Sequence, residues 1–313
     1  MHHEDYRDPE TTRGETAGAT DRLAEFNRFR GLLFSIAYRM LGTVADAEDI
    51  LQETFLRWYR APDAEILSTR AFLVTIVSRL SINHLQSARV QREQYVGQWL
   101  PEPIVTESNA DPFTISRVDE SLSMAFLVVL ERLAPVERAV FLLREVFDYE
   151  YAEIAQVVGK DEANCRQILR RARQHVAELR PRFKPSPEQR EQLLGKFLQA
   201  TATGDLEELV GLLHAGAALH TDGGGKARAV PNLVYGADNV ARAIAGALRK
   251  LVPSNLTTRI ARINGEPGIV SYLEGRPFSV LTLEVTDDRI KSIYIVTNPE
   301  KLAHLSPLPA PPC

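Results

Sequence analysis

Apolar residues recur along this chain at two different periods, and the change of period divides it. From Leu23 to Leu41, Phe26, Phe29, Leu33, Ile36, Ala37 and Met40 keep helical spacing, and Gly42 supplies the left-handed residue that closes a helix. Thr43 then stands where a cap is expected for a second helix reaching Tyr59, in which Ala47, Leu51, Thr54 and Trp58 form a packing stripe with Phe55 at its margin. A third helix is predicted from Thr69 to about Arg92, apolar nearly all round in its first half and so buried there. Between Tyr149 and Arg173 the pattern is helix, glycine turn, helix. Ala152, Ile154, Ala155 and Val158 mark the first, Gly159 the turn, and Cys165, Ile168, Leu169, Ala172 and Val176 the packed stripe of the second. Beyond Pro187 a helix from Glu188 to about Leu213 gives way to a period of two. Strands are predicted at Ala217–Thr221, Thr257–Asn264, Gly268–Glu274, Phe278–Thr286 and Arg289–Thr297, with a helix from Ala237 to Leu251 between the first two. Leu281, Leu283 and Val285 alternate with Val280, Thr282 and Glu284, as expected of a sheet with one packed face.

The segments between these elements carry no such periodicity. Residues 1–20 are polar and read as a mobile arm. Tyr95 to Pro112 holds three prolines among scattered polar residues and reads as a semi-extended linker. Trp99, inside W-L-P-E-P, gains nothing from exposure there and is expected to pack against a neighbouring domain. Pro181, Pro185 and Pro187 mark a further boundary. The expected organisation is therefore an arm (1–20), a helical domain (21–95), a linker (96–112), a second helical domain (113–184), an α+β domain with a curved antiparallel sheet (188–300) and a Pro-rich tail (301–313).

Composition narrows the class. The chain has 313 residues, 44% hydrophobic and 25% charged, with a net charge of −4, as in ordinary globular proteins of several domains. No apolar run is long enough to cross a bilayer, and M-H-H-E-D-Y-R-D-P-E lacks the charge and apolar core of a signal peptide, so a cytoplasmic location without membrane contact is expected. Cys165 and Cys313 make no metal spacing and are not expected to pair, and no cofactor or metal is called for.

Charge is distributed against the average. From Lys160 to Lys184 eight Lys or Arg stand against three Asp or Glu, in a chain that is acidic overall. On the second helix of the glycine-turn pair, Arg166, Gln167, Arg170, Arg173 and Gln174 lie opposite the packed stripe, joined by Arg171. Arg forks onto guanine and Gln onto adenine, and a spare guanidinium grips phosphate. A lone basic helix is explained by solubility. The preceding helix, Gly159 and the segregated faces favour DNA recognition. The helix after Thr43 is the reverse: Asp46, Glu48, Asp49 and Glu53 occur with no Lys or Arg before Leu56, and an apolar Leu56 lies beside the acids. The helix dipole accounts for Asp46 in the first turn but not for Glu53. The third helix offers Arg79, Asn83, His84, Arg89 and Arg92 where its burial ends; Asn83 and His84 read equally as internally satisfied side chains or as nucleic-acid contacts.

The order A-D-A-E-D-I-L-Q-E-T-F-L-R-W, R-L-S-I-N-H-L, linker, L-x-P-V-E-R-A-V-F-L-L-R and basic helix-turn-helix resembles bacterial sigma factors of the extracytoplasmic-function type, in two blocks matching promoter-binding regions two and four. The resemblance implies that Asp46, Asp49, Gln52, Glu53 and Leu56 dock on the clamp coiled coil of the β′ subunit of RNA polymerase core. It implies that Arg79, Asn83, His84, Arg89 and Arg92 lie near the melted −10 element of promoter DNA, and Arg166, Gln167, Arg170, Arg171 and Arg173 at the −35 element. A helix-turn-helix activator that never joins the polymerase is the alternative binder, against which the acidic helix argues.

The α+β part resembles the cone-shaped SnoaL/NTF2-like fold shared by polyketide cyclases and small isomerases. Asp222-Gly223-Gly224-Gly225-Lys226 after the first strand, Asn298-Pro299-Glu300-Lys301-Leu302 after the last, and W-L-P-E-P around Trp99 look like signatures of the SigJ-like group, sigma factors with a fused SnoaL-like domain, with Glu300 where the motif has Asp. The glycine-rich loop, the linker indole and the short charged tail lack a job inside their own segments, so this fused domain is expected to regulate the sigma domains by direct intramolecular contact, at an effective concentration that leaves no need for a separate anti-sigma protein. The catalytic alternative makes His220, Asp222, Arg228 and Tyr235 an acid/base set at the cone mouth of a tethered cyclase or isomerase.

Overall fold

The computed structural model describes residues 9–62, 66–93, 95–106, 122–177, 185–230 and 232–308, with side chains from residue 22 on except at 88–93 and 177. Three helices open the chain: α1 (Pro9–Leu41), α2 (Val44–Arg60) and α3 (Thr69–Glu93). The first begins well inside the segment expected to be a mobile arm. Pro9 is pre-organised for a first helical position, and once Leu23 to Leu41 is held by packing, further residues join without a new nucleation step. Thr43 occupies the N-cap of α2 in an extended conformation, but its hydroxyl bonds Asp46 and caps nothing. The Val44 N–H is instead satisfied by the carboxylate of Glu102, 2.7 Å away, from the linker.

The second helical block contains α4 (Met124–Leu130), α5 (Pro135–Glu145), α6 (Tyr151–Val158) and α7 (Glu162–Ala177). Gly159 closes α6 with φ 65°, ψ 40°, the left-handed cap expected of the turn. Both helical blocks bury their stripes in one continuous apolar core that runs from Phe26 and Leu33 through Trp58, Leu73 and Val77 to Phe141, Ile154 and Leu169.

The C-terminal part is α8 (Pro187–Thr203), α9 (Leu206–Leu212), α10 (Ala237–Lys250) and a sheet of β2 (Leu213–Asp222), β3 (Val234–Tyr235), β4 (Leu256–Ile263), β5 (Glu266–Leu273), β6 (Arg276–Thr286) and β7 (Arg289–Val296), followed by the single turn α11 (Pro299–Leu302). The helix expected over 188–213 is broken, because Gly204 adopts φ 73° and Asp205 caps a new helix through Glu208. The sheet is not wholly antiparallel: β2 and β7 pair in parallel, and the order is β1-β4-β5-β6-β7-β2-β3. Here β1 is Val105–Thr106 of the linker, which adds a two-residue strand to the edge at β4. Both faces of this sheet are covered. Ile269, Leu283 and Ile293 point into the cone against Phe197 and Ile244, while Val270, Tyr272, Val280 and Tyr294 pack with Leu100 of the linker and Met124 of α4.

Candidate functional surfaces

The acidic helix α2 turns its stripe of Ala47, Leu51, Thr54 and Trp58 inward and leaves Asp49, Gln52 and Leu56 open, with Leu56 37% exposed. An aliphatic side chain set among acids on an otherwise polar face marks an interaction surface better than the charge does. The acids are not wholly unrelieved, as the sequence window suggested. Glu53 pairs with Arg57 one turn on (2.7 Å), Glu48 with Arg30 (2.5 Å), and Asp46 lies 3.5 Å from the His84 ring.

On α7 the buried set is Cys165, Ile168, Leu169, Ala172 and Val176, and Arg166, Gln167, Arg170, Arg171 and Arg173 face solvent. These five are not equivalent. Arg166 bonds Glu162 (2.7 Å) and stacks over Tyr151, and Arg173 forks onto Glu145. Arg170, Arg171 and Gln167 have no side-chain partner among the described residues. Arg180, Arg182 and Lys184 of the basic stretch lie outside the described residues.

The third set divides. Arg79 donates from Nε to Val157 O (2.9 Å) and from Nη2 to Gln156 O (2.7 Å), satisfying the end carbonyls of α6. Asn83 is exposed and lines, with Arg79 and Lys160, a cleft of about 350 Å³ between α3 and the helix-turn-helix. The Arg89 and Arg92 side chains lie outside the described residues. Thus α3 faces the helix-turn-helix directly, and Arg138 of α5 makes a separate contact to α1 by donating to Met40 O (2.6 Å), with a further bond to Glu131 (2.7 Å).

The linker runs between the helical core and the cone, and its polar groups converge on Asp222. That carboxylate is 0% exposed. It accepts from the Tyr95 hydroxyl (2.6 Å), the Leu100 N–H (2.8 Å), Lys301 Nζ (2.7 Å) and the Gly224 N–H (3.0 Å). Lys301 also donates to Leu100 O and sits 4.1 Å from the centre of the Trp99 ring. Burial raises the Tyr95 hydroxyl pKa well above its ordinary value, with the bond and charge of Asp222 adding to it, so the phenol stays a donor. Gly224 has φ +59°, and a Cβ there would overlap the Asn298 amide, which itself donates to Tyr95 (2.9 Å). Gly42 likewise has no room for a side chain, since a Cβ would come within 2.6 Å of Trp99. At the rim Lys226 pairs with Glu300. Pro299 starts α11, Leu302 is buried, and Gly223 and Gly225 complete the loop.

A second convergence lies about Asn264, also fully buried, in the tight turn between β4 and β5. Its N–H and Oδ1 pair with the Ile104 backbone (2.8 and 2.9 Å), and its Nδ2 donates to the Tyr38 hydroxyl (2.8 Å), which donates on to Glu102 O (2.6 Å). Glu102 further takes His304 Nδ1 (2.6 Å). Tyr38, Tyr95, Glu102, Asn264 and His304 were absent from the expected set. An Asn-Gly pair between two strands and a Glu between two prolines were the available signals.

His220 and Asp222 do share a face of β2, which runs through Asp222, but that face looks toward the linker. His220 stacks on Tyr294 (4.8 Å) and meets Gln98 (3.2 Å), and burial pushes its pKa down to about 4. Neither residue lines the cone cavity; of the acid/base set considered above, only Arg228 does, and Tyr235 is exposed outside it. Among the described residues no three His, Cys, Asp or Glu gather as a metal site, and no helix is long and apolar enough to cross a membrane.

Sigma-70 region 2 matches residues 26–90 of this chain and sigma-70 region 4 matches residues 123–176. The extracytoplasmic-function RNA polymerase sigma factor SigJ of Mycobacterium tuberculosis is 39% identical over 290 residues, covering 89% of this chain and 92% of its own. The sigma factor SigI of the same species is 32% identical over 281 residues, covering 89% and 94%. The crystal structure of Mycobacterium tuberculosis SigJ aligns with a TM-score of 0.76 at 36% identity, covering 92% of this chain and 100% of that one.

Proposed function

The chain belongs to the extracytoplasmic-function RNA polymerase sigma factors, and we propose that its C-terminal cone governs the two DNA-binding regions through the junction centred on Asp222. As an alternative sigma factor it directs transcription initiation, with RNA polymerase core and promoter DNA as partners. Region 2 and region 4 read separate promoter elements along one duplex, yet here they share an apolar core and Arg79 is spent on the end of α6. That arrangement is a closed one. The observation that carries the regulatory reading is the Asp222 carboxylate, which joins linker, cone loop and C-terminal turn in one buried cluster.

In this reading Asp46, Asp49, Gln52, Glu53 and Leu56 meet the β′ clamp coiled coil, with Leu56 as the apolar anchor. Arg170, Arg171 and Gln167 lead the −35 contacts, while Arg166 and Arg173 hold their orientation through Glu162 and Glu145. On the −10 side Asn83 is free at once and Arg79 joins it when the regions part, while His84 stands beside Asp46 within region 2. No covalent step is required of the sigma regions. Since the lock is carried on the same chain, its effective concentration is high and a separate anti-sigma protein is unnecessary.

The test is run-off transcription with limiting purified core, comparing the full chain, Asp222→Ala, Lys226→Ala and a truncation after Pro187. Asp222→Ala is expected to raise promoter-specific transcript severalfold, and Lys226→Ala to reproduce part of that rise. Transcript equal to the full chain from both point variants overturns the regulatory reading, and a fall in both overturns the closed-state assignment.

A further inference from the structure

On the side of the sheet opposite the junction, the cone holds a cavity of about 340 Å³. Ligand sites in proteins span roughly 300–1,000 Å³ and are mostly apolar with a few placed polar groups, and this one fits that description. Phe197, Leu219, Ile244, Leu281 and Ile295 supply the walls. Arg228 is the one charged residue in the lining. It is exposed, and so stands at the rim, and no carboxylate or other side-chain partner meets it among the described residues. An apolar hollow with a single unpaired guanidinium at its edge selects a molecule of the complementary pattern.

We propose that this cavity binds an apolar small molecule carrying one anionic head, with the size and character of a medium-chain carboxylic acid, and that Arg228 receives the head. The tail replaces water against the aliphatic walls, and the forked guanidinium matches a carboxylate. Occupancy also bears on the junction. Thr221 and Thr297 line the cavity and directly precede Asp222 and Asn298 in the chain. The Asp222 carbonyl accepts from the Thr297 hydroxyl (3.2 Å), the Thr297 N–H (2.8 Å) and the Asn298 N–H (3.0 Å). A molecule pressing on Thr297 therefore presses on the residue that fixes the Asp222 backbone, whose carboxylate holds the linker. This transmission rests on the junction reading above, whereas the binding does not.

The experiment uses the full chain and decanoate, with decanol as the uncharged counterpart, read by displacement of anilinonaphthalene sulfonate and by the shift in Tm. Decanoate is expected to displace the dye and raise Tm. Arg228→Ala should weaken decanoate by about tenfold while leaving decanol unchanged, since only the charged head uses the guanidinium. Ala247→Trp, which fills the cavity from α10, should abolish both, with the far-UV spectrum retained. Equal decanoate affinity in wild type and Arg228→Ala, or undiminished binding to Ala247→Trp, overturns the site. Trp58→Phe leaves Trp99 as the sole indole, so its emission reports the junction. Binding with no change in that emission overturns the transmission and keeps the site. Absence of binding, with transcription still altered by Asp222→Ala, overturns the site and keeps the junction.

Discussion

Regions 2 and 4 hold each other by a different physics from the one by which both hold the cone. Between the sigma regions the contact is mainly a shared apolar core, with Arg79 at its margin and the buried Arg138 within it, both donating to backbone carbonyls. At the cone an apolar layer around Leu100, Met124 and Tyr294 surrounds buried polar groups, Asp222 with Lys301 and Asn264 with Tyr38. Apolar contact weakens in proportion to the area uncovered, so the first joint loosens by degrees. A buried carboxylate is either satisfied or strongly unfavourable, so the second is close to all-or-none. One chain thus combines a graded joint with a latch.

The sharpest way to break this contrast is to remove one side of the latch. Asp222→Ala leaves Lys301 buried without its counter-charge and should lower stability by about 3–5 kcal/mol. Calorimetry should split one transition into two as the cone melts apart from the helical core. A single transition at the wild-type temperature would put Asp222 outside the latch.

Acid should strain the same joint. His220 is held neutral by burial, with its pKa pushed down to about 4 from an ordinary 6.5, so the unfolded chain binds the proton more readily between those values. Stability is therefore complete above pH 6.5 and falls as pH drops toward 4, by on the order of 3 kcal/mol. Urea melts at pH 7 and pH 4.5 should differ in wild type and much less in His220→Phe. An equal pH dependence in the two proteins would assign the effect to other groups.

The graded joint should respond less. Arg79→Ala removes two bonds to the end of α6, one half-buried and one exposed, and should loosen the region 2–region 4 contact by about 1–2 kcal/mol. The expected readout is a larger radius of gyration in X-ray scattering with both regions still folded; an unchanged radius counts against Arg79 as an edge clamp.

The smallest effect marks a surface belonging to neither joint. Reversing Asp49 and Glu53 to Lys breaks only the exposed Glu53–Arg57 pair and should change stability by about 0.5 kcal/mol. Binding to polymerase core should nevertheless be abolished. Undiminished core binding removes α2 from the polymerase contact.

Local periodicity carried much of this architecture. The division of α7 into a packed stripe and a basic face follows from a hundred degrees of turn per residue, and so does the inward stripe of α2, because each is decided within a few turns of one helix. The joints were harder to read, because their partners lie far apart in sequence. Arg79 meets residues 77 and 78 positions away, and Tyr95 meets Asp222 across 127. No local pattern records such a pairing. Val280, Thr282 and Glu284 read as the wet face of a sheet because two of them are polar, yet Thr282 is buried, since the helical block covers that face. The glycines of Asp222–Lys226 announced a special backbone, but that Gly224 must clear Asn298 follows only from the fold.

The place of Lys301 in the chain has a consequence for timing. It lies well over a hundred residues downstream of α7, so the helical regions leave the ribosome long before the ammonium that completes the latch exists. At about 5–20 residues per second, synthesis separates the two events by roughly 6 to 25 seconds. Every newly made copy therefore passes once through an interval in which regions 2 and 4 are finished and unlatched, and a polymerase nearby meets the protein first in that form.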